Sequence, residues 1–94
     1  MTLKQPVGPV VQAGEMAAAV VSAARSDNSS EVVVKDRGSY VRIELDGECL
    51  IRRESIEREL GRPFRMRELE VNMPSFQGRI ETTSEYFRFY ATAS

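Results

Sequence analysis

The stretch LGRPFRMRELEVNMPSFQGRI, residues 60–80, is where the chain's pattern changes most sharply. Ile56 and Leu60 stand one turn apart on one helical face, Gly61 suits a left-handed cap, and Pro63 forbids continuation of the helix. Alternation follows: Leu69, Val71 and Met73 share one face and Glu68, Glu70 and Asn72 the other, which predicts a strand. Pro74-Ser75-Phe76-Gln77-Gly78 breaks that alternation as a turn, and a strand resumes near Arg79. A polar Asn72 at a strand end, Phe76 at a loop tip and a glycine exit point to a presented surface. The competing reading is a buried turn anchored by Phe76, and the residues alone leave both open.

Upstream of this stretch, Val7–Val11 is apolar and β-branched but contains Gly8-Pro9. It reads as an edge strand or extended arm, because Pro9 cannot donate to a central ladder. A helix is predicted from Glu15 to Arg25, with acidic and basic residues at the ends that suit its dipole and a narrow stripe of Met16, Val20, Ala23 and Ala24. Asp27-Asn28-Ser29-Ser30 closes it as a polar loop. Strands are predicted at Glu31–Lys35, Tyr40–Asp46 and Glu48–Arg53. Val41, Ile43 and Leu45 face one way, Cys49 and Ile51 share a face, and Asp46-Gly47 makes the hairpin turn. A second, short helix spans Glu54–Leu60; its Glu54–Arg58 pair contributes only a few tenths of a kcal/mol, so docking of Ile56 and Leu60 must hold it. Downstream, Arg79–Thr82 and Tyr86–Tyr90 are strands, the latter with Phe87 and Phe89 on one face.

The predicted order is β-α-β-β-β-α-β-β-β: an α+β fold with two helices packed on antiparallel sheet. One domain over residues 1–94 is expected, frayed at 1–5 and 91–94.

Hydrophobic content of 41%, charged content of 29% and a net charge of −1 describe an ordinary globular domain with no field to attract nucleic acid. No apolar run approaches the roughly 18 residues needed to span a bilayer, and Met1–Pro9 lacks the pattern of a secretory leader. With one Cys there is no internal disulfide, so the cytoplasm is the expected compartment. The chain has no His, which closes nucleophile–His–acid catalysis and removes the usual ligands of zinc, haem and di-iron sites. No cofactor is expected. Any reactive centre this protein serves belongs to another chain.

Several residues carry both a functional and a structural reading. Cys49 could be a redox thiol, but alone in an alternating strand it reads as a small core residue. Arginines 52, 53, 58, 62, 65 and 67 could bind phosphate, yet glutamates 54, 57, 59, 68 and 70 lie among them, as on a mixed solvated surface. Tyr40, Phe87 and Phe89 could stack on bases, but the glycine–aromatic pattern of an RNA-binding sheet is missing.

Taken together, Leu60-Gly61-Arg62-Pro63-Phe64, Glu68-Leu69-Glu70-Val71-Asn72 and Ser75-Phe76-Gln77-Gly78-Arg79-Ile80 resemble the small effector, or coupling, proteins of bacterial multicomponent monooxygenases. The likeness extends collinearly to Val7–Val11 with Ala13-Gly14, to Asp27-Asn28, to Asp36-Arg37 and Tyr40–Ile43, and to Phe87–Tyr90. It is strongest toward effectors of toluene monooxygenases, then of phenol hydroxylases, with the methane monooxygenase regulatory component more distant. Pro74 departs from the family, which usually carries a small residue such as Ala there.

The resemblance implies a cofactor-free protein that docks on a hydroxylase with a carboxylate-bridged di-iron centre and couples electron delivery and oxygen activation to hydrocarbon oxidation. An NADH-dependent reductase and often a Rieske-type ferredoxin complete such systems. By the same analogy the docking residues include Asn72, Met73, Ser75, Phe76 and Gly78. Two other classes stay open on the residues: a ferredoxin-like small-ligand regulatory domain, which needs a polar-lined cleft between helix and sheet, and an RNA-binding sheet, which the charge disfavours. From the ligand inventory, elemental analysis of the purified chain is expected to find no stoichiometric transition metal; finding one would overturn the exclusion of metal chemistry.

Overall fold

A computed structural model of the chain describes residues 3–92. The elements run β1 (Pro6–Gln12), α1 (Glu15–Asp27), β2 (Val33–Asp36), β3 (Tyr40–Asp46), β4 (Glu48–Arg52), α2 (Arg53–Leu60), α3 (Met66–Asn72), β5 (Ser75–Gln77), β6 (Arg79–Thr82) and β7 (Tyr86–Tyr90). Two antiparallel sheets form, ordered β2-β3-β1-β5 and β4-β7-β6. The α+β class holds, with three helices where the sequence predicts two. No helix among the described residues is long and apolar enough to cross a membrane.

The alternation at Leu69, Val71 and Met73 is not a strand. Residues 66–72 form α3, because Met66, Leu69 and Met73 also stand at the i, i+3, i+7 spacing of a helix. A reciprocal pair of bonds starts it: the Glu68 N–H donates to the Arg65 carbonyl at 2.8 Å, and the Arg65 N–H donates to Glu68 Oε2 at 3.0 Å. Helical rotation buries Met66 and Leu69, half-buries Met73 and turns Val71 out to 73% exposure.

The expected turn at Pro74–Gly78 holds a three-residue strand, β5, paired with β1. That pairing also corrects the placement of β1, which lies between β3 and β5 instead of at an edge. The β1–β3 ladder pairs residues 6, 7 and 10–12 and lapses at Gly8 and Pro9, so the missing Pro9 N–H falls in the gap. Gly8 has φ +144°, and a Cβ there would lie 2.1 Å from the Ile43 carbonyl oxygen. No side chain fits at that contact.

Helix α1 buries Ala17, Ala19, Val20, Ala23 and Ala24, small enough to seat it closely on α2 and β4; Met16 stays half-buried. Val7, Val11, Ile43 and Leu45 of one sheet and Cys49, Ile51, Phe87 and Phe89 of the other complete the core. Phe87 and Phe89 lie nearly parallel, centroids 6.3 Å apart.

The loop after α1 acts as a joint. Asn28 Nδ2 donates to the carbonyls of Ala24 and Leu50, both at 2.8 Å, and Asn28 Oδ1 accepts from the Leu50 N–H at 2.9 Å. One side chain thus satisfies the last turn of α1 and the open edge of β4. Asp27 accepts from the Arg52 N–H at 2.8 Å and from the buried Ser55 hydroxyl at 2.6 Å, which puts a negative charge at the start of α2.

Of the ends expected to fray, residues 1–2 and 93–94 lie outside the described residues. Gln5 and Ala91 are both tied to the β3–β4 turn: Gln5 N–H donates to Asp46 Oδ1 at 2.8 Å, Gly47 N–H to the Gln5 carbonyl at 2.9 Å, and Ala91 N–H to the Gly47 carbonyl at 2.9 Å.

Asn28→Ala strips partners from both backbone groups of Leu50 and is expected to lower stability by about 2 kcal/mol. Urea denaturation reads this directly. A midpoint equal to that of the parent protein would mean the joint contributes nothing.

Candidate functional site

The segment from Val71 to Gly78 leaves the core, crosses the edge of one sheet and enters the other. Val71 and Phe76 are the exposed large hydrophobic side chains among the described residues, at 73% and 39%. They flank Met73-Pro74, where Pro74 separates α3 from β5.

Asn72, expected on the polar face of a strand, is the last residue of α3. Its amide nitrogen donates to the Glu68 carbonyl at 2.8 Å, closing the helix end. Met73 caps the helix and rests half-buried against the core. Ser75 pairs with Val10 and is exposed. Phe76 pairs with Pro9, and its ring lies 5.8 Å from that of Phe89, tilted by 51°. It is therefore neither a free loop tip nor a core residue: one face rests on the core, and the rest meets solvent. Gly78 is exposed, with φ +90°, and a Cβ there would lie 2.7 Å from Val7 Cγ1 and 2.8 Å from the Tyr90 carbonyl oxygen. It is the corner at which the chain passes between sheets. The five residues named from the sequence lie on one short segment, next to Val71, whose exposure the strand reading did not anticipate; the Arg65–Glu68 spacing at a helix start is the signal that bears on it.

Residues 5–90 match the MmoB/DmpM family. The chain belongs to that family. It is 46% identical over 85 residues to the effector subunit of an alkene monooxygenase system from Xanthobacter autotrophicus Py2, spanning 89% of this chain and 84% of that protein. Its fold is that of chains in two structures of a phenol hydroxylase–regulatory protein complex. These superpose with TM-scores of 0.82 and 0.78 at 24% identity, over 94% and 92% of this chain and 100% and 99% of those chains. Family membership carries the α+β fold, and the alkene monooxygenase relative is named an effector subunit.

Two clefts among the described residues of this MmoB/DmpM member bear on a small-ligand reading. A cleft of about 270 Å³ at the start of α1 is bordered by Gln12, Glu15, Arg62, Glu68 and Asn72, of which Arg62 and Glu68 are spent on each other. Arg62 pairs with Glu68 at 3.0 Å, and that carboxyl is held below the usual carboxylate range, first by the Arg65 N–H and then by Arg62. The cleft between helix and sheet, about 420 Å³, has walls of Ala17, Ala18, Val21, Val34 and Val41, with Ser22, Arg25 and Asp36 also bordering it.

Cys49, opposite Phe89 in the β4–β7 ladder, is fully buried. Burial, then the charges of Asp27 and Glu48, push its thiol up to about 12, so at neutral pH it is a protonated, inert core group. The folded pKa lies above the ordinary value of 9.0, so the stability tied to this thiol is complete below pH 9 and is lost as pH rises toward 12. Denaturation of Cys49→Ala is accordingly expected to show a shallower decline over that window than the parent. Equal slopes would mean the thiol ionises freely in the folded protein.

Proposed function

We propose that this chain is the effector subunit of a multicomponent monooxygenase. It is non-catalytic and docks on the system's di-iron hydroxylase, coupling electron delivery and oxygen activation to oxidation of a hydrocarbon. The observation that carries this is the 46% identity over 85 residues to an alkene monooxygenase effector subunit. The sequence supports it independently, since with no His and one Cys the chain has few groups for chemistry of its own. An NADH-dependent reductase, in some systems with a Rieske-type ferredoxin, supplies the electrons. The protein works in the cytoplasm, with no role for nucleic acid or membrane.

The docking surface is the segment holding Asn72, Met73, Ser75, Phe76 and Gly78, with Val71 added. Exposure of two large apolar side chains on so short a segment supports it. Phe76 and Val71 are the anchors. Asn72, Met73 and Gly78 set the shape of the segment, through the helix end, the core contact and the corner respectively. A protein that carries no reacting group can alter a reaction only by binding one state of its partner better than another.

Added to hydroxylase and electron-transfer components, the protein is expected to raise product formed per NADH consumed; no change in yield or coupling at saturation would refute the assignment. Phe76→Ala is expected to weaken hydroxylase binding by roughly 2 kcal/mol, about thirtyfold. Its cost to folding should be less than the roughly 3–5 kcal/mol of a fully buried Phe, because the ring is only partly buried. Denaturation of the free variant beside its hydroxylase affinity separates the two effects. Large destabilisation with normal affinity would make Phe76 a structural residue.

A further inference from the structure

Strand β5 is held to its sheet by three residue pairs, one of them to Pro9, which has no N–H to give. So short an attachment does not by itself fix a register, and a one-residue slip would exchange the two faces of the strand. A second attachment exists on the opposite face from Phe76. Gln77 pairs with Gly8, and a Cβ on Gly8 would lie 3.6 Å from Glu44 Cα, so Gly8 is all that stands between the two residues. Because residue 8 carries no side chain, Gln77 and Glu44 reach each other across β1. With the Gln77 amide oriented to satisfy both neighbours, its nitrogen donates to Glu44 Oε2 at 2.7 Å and its oxygen accepts from Arg42 Nη1 at 3.2 Å.

Glu44 is built for this. It lies on β3 facing outward from the core strands, yet it is 5% exposed. Its other oxygen, Oε1, is taken by Lys35 Nζ on β2 at 3.0 Å, and Arg42 Nη1 stands 4.0 Å from Oε2. A buried carboxylate must keep its partners, and one of them is the amide of β5. The row Lys35–Glu44–Gln77 thus ties three strands together across the gap left by Gly8.

We infer that Glu44 and Gln77 are positioning residues: their contact sets the register of β5 and so holds Phe76 with one face on Phe89 and the other toward the hydroxylase. This rests on the docking role given to Phe76 above. The two residues act by pre-organising the segment, so that its ordering is not charged against binding.

The test is a charge swap. Gln77→Glu places two carboxylates against each other and should speed backbone amide exchange at residues 75–77 in the free protein, and weaken hydroxylase binding about tenfold. Adding Glu44→Gln restores a donor opposite a carboxylate, with Arg42 beside it, and should return both readouts close to the parent values. In a Phe76→Ala background, Gln77→Glu should cost no further affinity, since the contact acts through that ring. Gln77→Ala, which introduces no repulsion, should loosen β5 in the same direction and guards against a misfolded Gln77→Glu protein. Unchanged exchange at 75–77 in both single variants would refute the clasp. Faster exchange with normal hydroxylase affinity, while Phe76→Ala still weakens binding, would refute the positioning role and leave the docking surface intact. Normal affinity of Phe76→Ala itself would remove the docking reading, and this inference with it.

Discussion

The backbone of Gly8 lies against the carbonyl of Ile43, and the presented side of the molecule depends on that approach. A side chain at position 8 would collide with the carbonyl at 2.1 Å, and the positive φ there is one that L-residues rarely adopt. With only hydrogen in that place, β1 can sit between β3 and β5. Pro9 falls where the ladder to β3 has already lapsed, and the outer face of the sheet is left open for Glu44 and Gln77 to meet. One missing side chain therefore serves the path of the strand, the tolerance of a proline inside a sheet and the attachment of β5.

At the other side of the molecule the same problem, satisfying strand edges, is solved by side chains. Asn28 closes the edge of β4 at Leu50, and Asp27 carries the contact on to Arg52 and Ser55. Across the outer face of β4-β7-β6, Arg88 pairs with Glu48 and lies 3.8 Å from Glu81, with its guanidinium 4.5 Å from the Tyr90 ring centroid. Such exposed pairs contribute little to stability but discourage edge-on pairing with other chains. The joint orders the α1–β4–α2 side of the fold, whereas the α3–β5 segment has short elements and exposed apolar side chains.

That division suits an effector. A protein without cofactor, metal ligand or nucleophile influences its partner's chemistry only through the free energy of binding. What it can offer is a shaped surface that fits one conformation of the hydroxylase. Short elements held by a few specific contacts provide such a surface: α3 by the Arg65–Glu68 start and the Asn72 end, β5 by Pro9 and Gln77, and the corner by Gly78. Val71 and Phe76 are thereby presented from positions already set.

By itself the sequence determined α1 and α2, the left-handed cap at Gly61, the strands at β3, β4 and β7, the burial of Cys49 and the resemblance to effectors. Those features rest on periodicity over many residues or on the chemistry of single side chains, and both are local. It singled out residues 72–78 but not the form they take. Over six residues Leu69, Val71 and Met73 satisfy strand alternation while Met66, Leu69 and Met73 satisfy a helix, and only packing chose the helix, burying Leu69 and exposing Val71. Tertiary structure alone decided that Gly8-Pro9 lies inside a sheet, that Gln77 answers Glu44 thirty-three residues away, and that Asn28 clasps Leu50. Each is a contact between residues distant in the chain, made because a buried polar group or a strand edge needed a partner, and no local pattern records which partner it finds.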